Sequence, residues 1–335
     1  MRAWNQFAAG LALVLIATLA WGCGGGDSAT FDNGDDTGRL RIAVIPKGTS
    51  HDFWNSVKAG ADKAAKELEV DINWTGPPSE SDIDRQIDIV ENCMLGGYDG
   101  ICLAPSDAHS LRRPVQQSID QGIPVLIFDS ALEDQDGIVS YVATNNYRGG
   151  QRAGEHLAEL LKGQGEVILM RYEIGSESTE QREQGFLDAI AKHEGIQLLV
   201  SDQYAGADET KALELGERLL EKYGDRVQGI FCPNQSTTGG MLTALQRDSR
   251  QLAGKVKFVG FDSGAKIAQG LEAGDLHATV LQDPVTMGYE AVRVMVDQLQ
   301  GKKVEQRVET REILATHDNL DDPDVHALLY PTGQQ

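Results

Sequence analysis

Short runs of consecutive apolar residues alternate along this chain with longer segments whose apolar positions recur every three or four residues. Arg41-Ile42-Ala43-Val44-Ile45 is the first such run, and its continuity predicts a strand buried on both faces. Phe53 to Leu68 follows, with apolar or small residues at Phe53, Val57, Gly60, Ala61, Ala64, Ala65 and Leu68, which is a helical period. A strand over 70–74 comes next, then a helix carrying Ile83, Ile87, Val90 and Leu95, with Ser79 as its expected cap. The alternation continues with strands near 99–104 and 123–129 and a helix over 108–120 between them. Beyond 138–143 a second series begins: helix 146–161, strand 165–171, helix 179–192, then strands near 196–201, 228–232, 256–261 and 277–281. A helix over 285–299 and one extended segment over 304–314 finish it. Strands separated by helices of this length imply parallel βαβ units.

The pattern also repeats at a longer period. Gly122-Ile123-Pro124-Val125-Leu126-Ile127-Phe128-Asp129-Ser130 returns as Lys255-Val256-Lys257-Phe258-Val259-Gly260-Phe261-Asp262-Ser263. Ahead of each copy, Tyr98-Asp99-Gly100-Ile101-Cys102-Leu103-Ala104-Pro105 matches Val227-Gln228-Gly229-Ile230-Phe231-Cys232-Pro233-Asn234. Two pairs at similar spacing mean that a whole subdomain is repeated, not one strand. Each copy ends in polar groups just past the carboxyl end of a predicted parallel strand, where open α/β sheets bind ligands. Two doubly wound parallel-sheet lobes with a cleft between them are expected.

Composition narrows the function. At 335 residues, 41% hydrophobic and 24% charged, the chain is long enough for two domains with separate cores. Its formal net charge of −21 argues against nucleic acid or an anionic membrane surface as partner, since both select clustered Lys and Arg. A small or neutral ligand held locally fits better. The first residues stand apart from the fold: Arg2, an apolar stretch from Phe7 to Ala20, and Trp21-Gly22-Cys23 have the form of an export signal, too short to span a bilayer comfortably. Gly24-Gly25-Gly26-Asp27-Ser28 and the Asp-rich stretch after it read as a flexible tether. Cys23 at the end of this signal resembles a bacterial lipobox, with Ala20 where that motif usually has Leu, so lipidation at Cys23 is expected. The membrane is then reached only through the lipid anchor. Cys93, Cys102 and Cys232 lack metal-ligand spacing and read as buried thiols, with a Cys93–Cys102 disulfide as the alternative.

From about residue 40 to 315 the chain resembles periplasmic sugar-binding proteins of the ribose/galactose-receptor type, which supply ABC importers. The strings that carry the resemblance begin with Phe53-Trp54-Asn55-Ser56-Val57-Lys58-Ala59-Gly60-Ala61 and the Gly-Ile-Pro-Val strand ending in Asp129. Arg182-Glu183-Gln184-Gly185-Phe186, Asn234, Val259-Gly260-Phe261-Asp262 and Ala278-Thr279-Val280-Leu281-Gln282-Asp283-Pro284 complete the set, in family order. Lactose-repressor-type regulators share these lobes, but an export signal stands here where they carry a DNA-binding helix-turn-helix. The resemblance implies a type I periplasmic binding protein fold, two Rossmann-like lobes joined by a three-crossing hinge, with crossings expected near 143–145, 282–284 and 302–304. The chain then divides into a signal peptide (1–22), a tether (23–39), an N-terminal lobe (40–143 plus 283–303), a C-terminal lobe (144–282 plus 304–315) and a C-terminal tail (316–335). It further implies a monomer that binds a small sugar without cofactor or metal and meets a permease and ATPase complex. A sensor kinase or chemoreceptor as the downstream partner is the alternative.

Sugar contacts are implied at Asp129, Arg182, Asn234, Asp262 and Gln282, with an aromatic platform at Phe53 or Trp54. The chemistry suits vicinal hydroxyls. Ionised Asp129 and Asp262 accept two hydroxyl protons each, Arg182 offers a planar fork of donors, and Asn234 and Gln282 supply both roles. An aromatic ring covers the sugar's C–H face, although either Phe53 or Trp54 is equally the first core position of its helix. Lys47 and His51 depart from the ribose-receptor pattern, and Ile45-Pro46-Lys47 with Trp74-Thr75-Gly76-Pro77 resembles the branch of rhamnose and autoinducer-2 receptors. Lys47 donates to hydroxyls, neutralises Asp129 or Asp262, meets an anionic substituent, or stands in water at the rim. His51 is read as a neutral hydrogen-bonding group. A deoxysugar, a pentose or a related polyol all remain open as ligand.

Catalytic alternatives are weaker. Ser50-His51-Asp52 holds the triad residue types, but three consecutive residues cannot converge as nucleophile, base and orienter. No phosphate-loop, zinc-protease or nucleophile-elbow string is present. Asp129 and Asp262 suggest a glycosidase pair, yet they occupy equivalent positions of a repeat, and Arg182 is expected to hold a neighbouring carboxylate ionised. A binding protein, not an enzyme, is the expectation.

Overall fold

A parallel strand that is apolar on both faces needs a helical layer above and another below it. The computed structural model, which describes residues 38–331, builds two such sandwiches. The first series runs β1 (Arg41–Ile45), α1 (Asp52–Leu68), β2 (Asp71–Trp74), α2 (Ile83–Leu95), β3 (Gly100–Leu103), α3 (Arg112–Asp120), β4 (Val125–Phe128) and β5 (Tyr141–Thr144). The second runs α4 (Asn146–Leu160), β6 (Gln164–Arg171), α5 (Glu177–Ile190), β7 (Gly195–Tyr204), α6 (Glu209–Tyr223), β8 (Gly229–Phe231), α7 (Gln235–Arg247), β9 (Lys257–Phe261), α8 (Ala265–Ala273) and β10 (Ala278–Gln282). Helix α9 (Pro284–Leu299), β11 (Arg307–Thr310), β12 (Glu312–Thr316) and α10 (Pro323–Leu329) close the fold.

Each sheet has six strands, ordered β11-β5-β4-β3-β1-β2 in the first and β12-β10-β9-β8-β6-β7 in the second. All pairings are parallel except β10 with β12. The pleat sends alternate residues of β1 to opposite layers: Ile42 and Val44 join the core under α1 and α9, and Ala43 and Ile45 the core under α2 and α3. The second sheet is covered on both faces in the same way.

Two expectations fail at the C-terminal end. The extended segment 304–314 is not one strand of the second lobe. Its first half, β11, pairs with β5 in the first sheet, from Arg307 opposite Tyr141 to Thr310 opposite Thr144. Its second half, β12, pairs with β10 in the second. The third crossing therefore falls at Arg311, not at 302–304, because Arg307 to Thr310 closes the open edge of β5. The tail beyond 316 is also part of the core: Val325, Leu328 and Leu329 of α10 are buried with Leu281 and Ala315. Ser79 does not cap α2; Asp82 does, accepting from the Arg85 N–H. The predicted helix at 108 begins at Arg112. The signal peptide 1–22, Cys23 and nearly all of the tether lie outside the described residues.

The three crossings are tied to one another by side chains. Thr144 at the end of β5 hydrogen-bonds Gln282 Oε1 at 2.7 Å and Thr310 Oγ1 at 3.2 Å, so each connection contributes one member. Arg311 donates to Asp283 and Asp324, and Arg148 to Glu312 with both of its carboxylate oxygens. Helix pairs on either side are packed backbone to backbone. A Cβ on Gly60 of α1 would lie 1.9 Å from the Val285 carbonyl oxygen of α9, and one on Gly150 of α4 the same distance from the Arg182 carbonyl oxygen of α5. Gly60→Val and Gly150→Val must force their helices apart, so each is expected to cost about 1–3 kcal/mol or more. Thermal melts of both variants against Lys66→Ala, an exposed position on α1 expected to stay within about 0.5 kcal/mol, check this.

Candidate functional site

The repeated Phe-Asp-Ser strings occupy equivalent places. Asp129 follows β4 with φ 62° and Asp262 follows β9 with φ 72°, both left-handed. Asp is among the few residues that adopt this conformation without a large steric cost. Each Asp donates its backbone N–H to the next strand, Asp129 to Val142 O and Asp262 to Val280 O, both at 2.9 Å. The turn lifts each carboxylate off its sheet edge. Gln282 at the end of β10 and Asn234 at the start of α7 stand beside Asp262, and Lys47 from the loop after β1 stands beside Asp129.

All nine residues singled out from the sequence, Lys47, His51, Phe53, Trp54, Asp129, Arg182, Asn234, Asp262 and Gln282, line one narrow cavity of about 30 Å³. That is about a tenth of the low end of the usual range for ligand pockets, roughly 300–1,000 Å³, so the cleft is closed more tightly than a bound small molecule needs. Trp54 is buried in the core below its helix yet reaches the cavity wall, and half-buried Phe53 meets it edge to face at 5.0 Å. Among the described residues no group of His, Cys, Asp or Glu could hold a metal ion.

Every cation in the cavity stands next to a carboxylate. Lys47 Nζ lies 3.3 Å from Asp129 Oδ2 and also donates to Ser176 and Ser178 across the cleft, at 3.0 Å each. It is 3% exposed, so it is not a rim lysine in water. Arg182 Nη1 lies 3.8 Å from Asp262 Oδ2, its guanidinium stacks on Phe261 at 4.0 Å, and Nε and Nη1 donate to Asn146 and the Pro233 carbonyl. Burial raises the Asp262 carboxyl above its ordinary pKa; Arg182, Gln282 and the Gln235 N–H pull it back but do not restore it. The expectation that Arg182 holds its neighbouring carboxylate ionised therefore has the sign of that contribution right and the balance wrong. His51 Nδ1 is 2.6 Å from Glu80 Oε1. Burial opposes a charge on His51, but Glu80 and the Ala207 carbonyl outweigh it and the pKa is raised, which favours the cationic form beside Glu80 over a neutral imidazole.

Asn234 has a structural task besides facing the cavity. Its Oδ1 caps α7, accepting from Thr237 N–H at 3.2 Å and Thr237 Oγ1 at 2.6 Å. Gln282 is likewise engaged at both ends of its amide, donating 2.7 Å to Asp262 Oδ1 and accepting from Thr144. Arg182 Nη2, Asp129 Oδ1 and the second lone pairs of Asp262 keep open capacity.

Sequence reasoning missed Glu80, Tyr172, Ser178, Thr179 and Gln235, which share the cavity. Glu80 is the consequential omission: it is 7% exposed, and it accepts from Trp54 Nε1 at 2.8 Å and from the Tyr172 hydroxyl at 2.7 Å. The only hint was its position after Pro77-Pro78, in a loop whose serine looked like a cap. Tyr172 sits one residue past β6, a strand end that the repeat did not mark. Cys93, Cys102 and Cys232 are free and buried, so no Cys93–Cys102 bridge forms; burial pushes the Cys93 thiol up to about 11.

Comparison with known proteins places this geometry. A family model described as periplasmic binding protein domain matches residues 42–303. The D-allose-binding periplasmic protein of Escherichia coli (strain K12) is 29% identical over 269 residues, 78% of this chain and 85% of its own length. The ribose import binding protein RbsB of Salmonella typhimurium is 30% identical over 266 residues, covering 79% and 86%. Among solved structures, a carbohydrate transporter solute binding protein from Agrobacterium radiobacter in complex with D-arabinose superposes with TM-score 0.83 at 32% identity, over 88% of this chain and 99% of that one. A solute binding protein from Agrobacterium vitis with bound D-fucose gives TM-score 0.83 at 31% identity, over 87% and 100%.

The His51–Glu80 pair makes stability depend on pH in a defined window. Burial would raise the Glu80 carboxyl, but His51, Lys47 and Trp54 overcome it and depress the pKa from 4.5 to about 2. Its contribution is therefore present above pH 4.5 and lost as pH falls toward 2. His51 is raised from 6.5, so its contribution is present below pH 6.5 and lost as pH rises through the higher value. Wild type should exceed His51→Gln in melting temperature most clearly between those limits, with the difference shrinking in alkali and in strong acid. A difference constant from pH 4 to 9 would contradict the charged pair.

Proposed function

The chain belongs to the periplasmic binding protein family, and from that premise we propose that it holds one neutral monosaccharide between its lobes. It is a sugar-binding solute-binding protein of the ABC-transporter type, extracytoplasmic and not an enzyme. The observation that carries the proposal is the matched pair of left-handed aspartates, one at each sheet edge, facing one small cavity that Arg182 of the second lobe also lines. A ligand touching both edges favours the closed cleft by its differential contacts; one touching a single edge gains nothing from closure.

Asp129 and Asp262 accept hydroxyl protons, Arg182 donates to ring or hydroxyl oxygens, and Phe53 with Trp54 covers the C–H face. Asn234 and Gln282 complete the lining while holding the second lobe's strand ends in place. The three cation–carboxylate pairs leave no net charge for a phosphate or carboxylate substituent to answer. The relatives bind D-allose, ribose, D-arabinose and D-fucose, and the lining of hydroxyl-matching groups suits a sugar of that class once the cleft widens to admit it. A deoxysugar or autoinducer-like polyol fits the loop around Lys47 and belongs in the same panel. The chain acts as a monomer that presents its closed form to a permease and ATPase complex. Lipid attachment at Cys23 would tether it to the membrane.

A thermal-shift panel of pentoses, hexoses, deoxyhexoses and their phosphates tests this directly. Ligand at about a hundred times its Kd adds about 2.7 kcal/mol to stability, and the phosphates should give no shift. Asp129→Ala and Asp262→Ala should each weaken the best sugar by one to two decades, since each removes a charge-assisted contact worth about 1.5–3 kcal/mol. Normal binding by both variants, or chemical conversion of the sugar, would overturn the assignment. For the anchor, labelled palmitate should enter the membrane-bound chain in a bacterial host and be absent from Cys23→Ser.

A further inference from the structure

We propose that Glu80 is a positioning residue that clasps the two lobes together, so that the lifetime of a bound sugar is set partly by a contact made outside the sugar. The inference rests on the sugar-binding function. Glu80 comes from the loop between β2 and α2 of the first lobe, and both of its oxygens are committed. Oε1 accepts from Trp54 Nε1 at 2.8 Å and His51 Nδ1 at 2.6 Å, and Oε2 accepts from the Tyr172 hydroxyl at 2.7 Å. Tyr172 belongs to the second lobe, one residue past β6, and is 1% exposed. Its single hydroxyl proton is spent on Glu80, because an ionised carboxylate can only accept.

This arrangement differs from the other bonds across the cleft. Lys47 with Ser176 and Ser178, Ser178 N–H with Ser130, and Ala131 N–H with Glu177 also span the lobes. Glu80 alone among these holds an aromatic wall of the cavity and the opposite lobe with one buried carboxylate. When the cleft opens, Tyr172 leaves and the Trp54 anchor stays. The clasp therefore belongs to the closed state and acts on release. His51 keeps the carboxylate neutralised in both states, being on the same lobe.

Stopped-flow binding of D-allose, D-ribose, D-arabinose and D-fucose to the full chain, with Tyr172→Phe, Glu80→Gln, Glu80→Ala and the Tyr172→Phe/Glu80→Ala double variant, tests the clasp. Tyr172→Phe keeps the ring and should speed dissociation about ten- to a hundred-fold, with association changed by less than about three-fold, as expected when a contact forms after encounter. Glu80→Gln, which keeps acceptor capacity, should recover part of what Glu80→Ala loses. Tyr172→Phe should add nothing in the Glu80→Ala background. Full additivity of the two substitutions, or a loss confined to the association rate, overturns the proposal. If no sugar binds wild type, the sugar reading fails by itself, and small-angle scattering still decides the clasp. Tyr172→Phe and Glu80→Ala should then expand the particle equally and without addition, and dimensions identical to wild type overturn it.

Discussion

Charge taken out of water must be matched, and the cleft is organised around that requirement. Lys47, His51 and Arg182 are set against Asp129, Glu80 and Asp262 within a space that excludes most solvent. An unpaired ion there would cost several kcal/mol or change its protonation state, about 1.4 kcal/mol for each pKa unit. Pairing removes most of that penalty and leaves a cavity that is electrically balanced inside a strongly acidic molecule. It also joins the cavity lining to the contacts between the lobes. Lys47 neutralises Asp129 and reaches Ser176 and Ser178 on the other lobe, so the polar floor of the site is continuous with the contacts that shut it.

The hinge and the site are joined through one amide. Gln282 accepts from Thr144 at the first crossing and donates to Asp262 in the cavity, while Thr310 completes the cluster from the third connection. Helices α1 with α9 and α4 with α5 are locked by glycines that let backbone meet backbone. Motion is thereby confined to the three short connections, as in a hinge between stiff bodies. The residues that line the cavity sit on the strand ends and helix starts of these packed bodies.

Most of this was visible in the residue pattern because strands buried on both faces and helices with a clear period leave strong signals. Asp129 and Asp262 were legible because they repeat, and Arg182, Asn234 and Gln282 because a family resemblance marked them. What stayed hidden has a common physical cause. The break between β11 and β12 carries no Gly or Pro, only Arg311, so an extended segment looked continuous although its halves serve different sheets. Glu80 lies in an irregular loop, where neither period nor repeat informs, and its importance comes from partners 26 and 92 residues away in sequence. The charge state of His51 depends on that same carboxylate and could not be read without it. Asn234 lines the cavity as well, but its work as the cap of α7 shows only in three dimensions.

The assignment of β11 to the first sheet sets the order in which the molecule can be assembled. The inner strands of that sheet are complete by residue 144, but the edge of β5 is satisfied only by Arg307–Thr310, and α9, which covers one face, also comes after the five parallel strands of the second sheet. Pairing Tyr141 with Arg307 closes a loop that contains all five parallel strands of the second sheet. Contacts of such sequence separation slow folding. A chain emerging from amino to carboxyl end thus finishes its second lobe's parallel strands before its first lobe can close, and the first core stays incomplete until nearly the last residues are available.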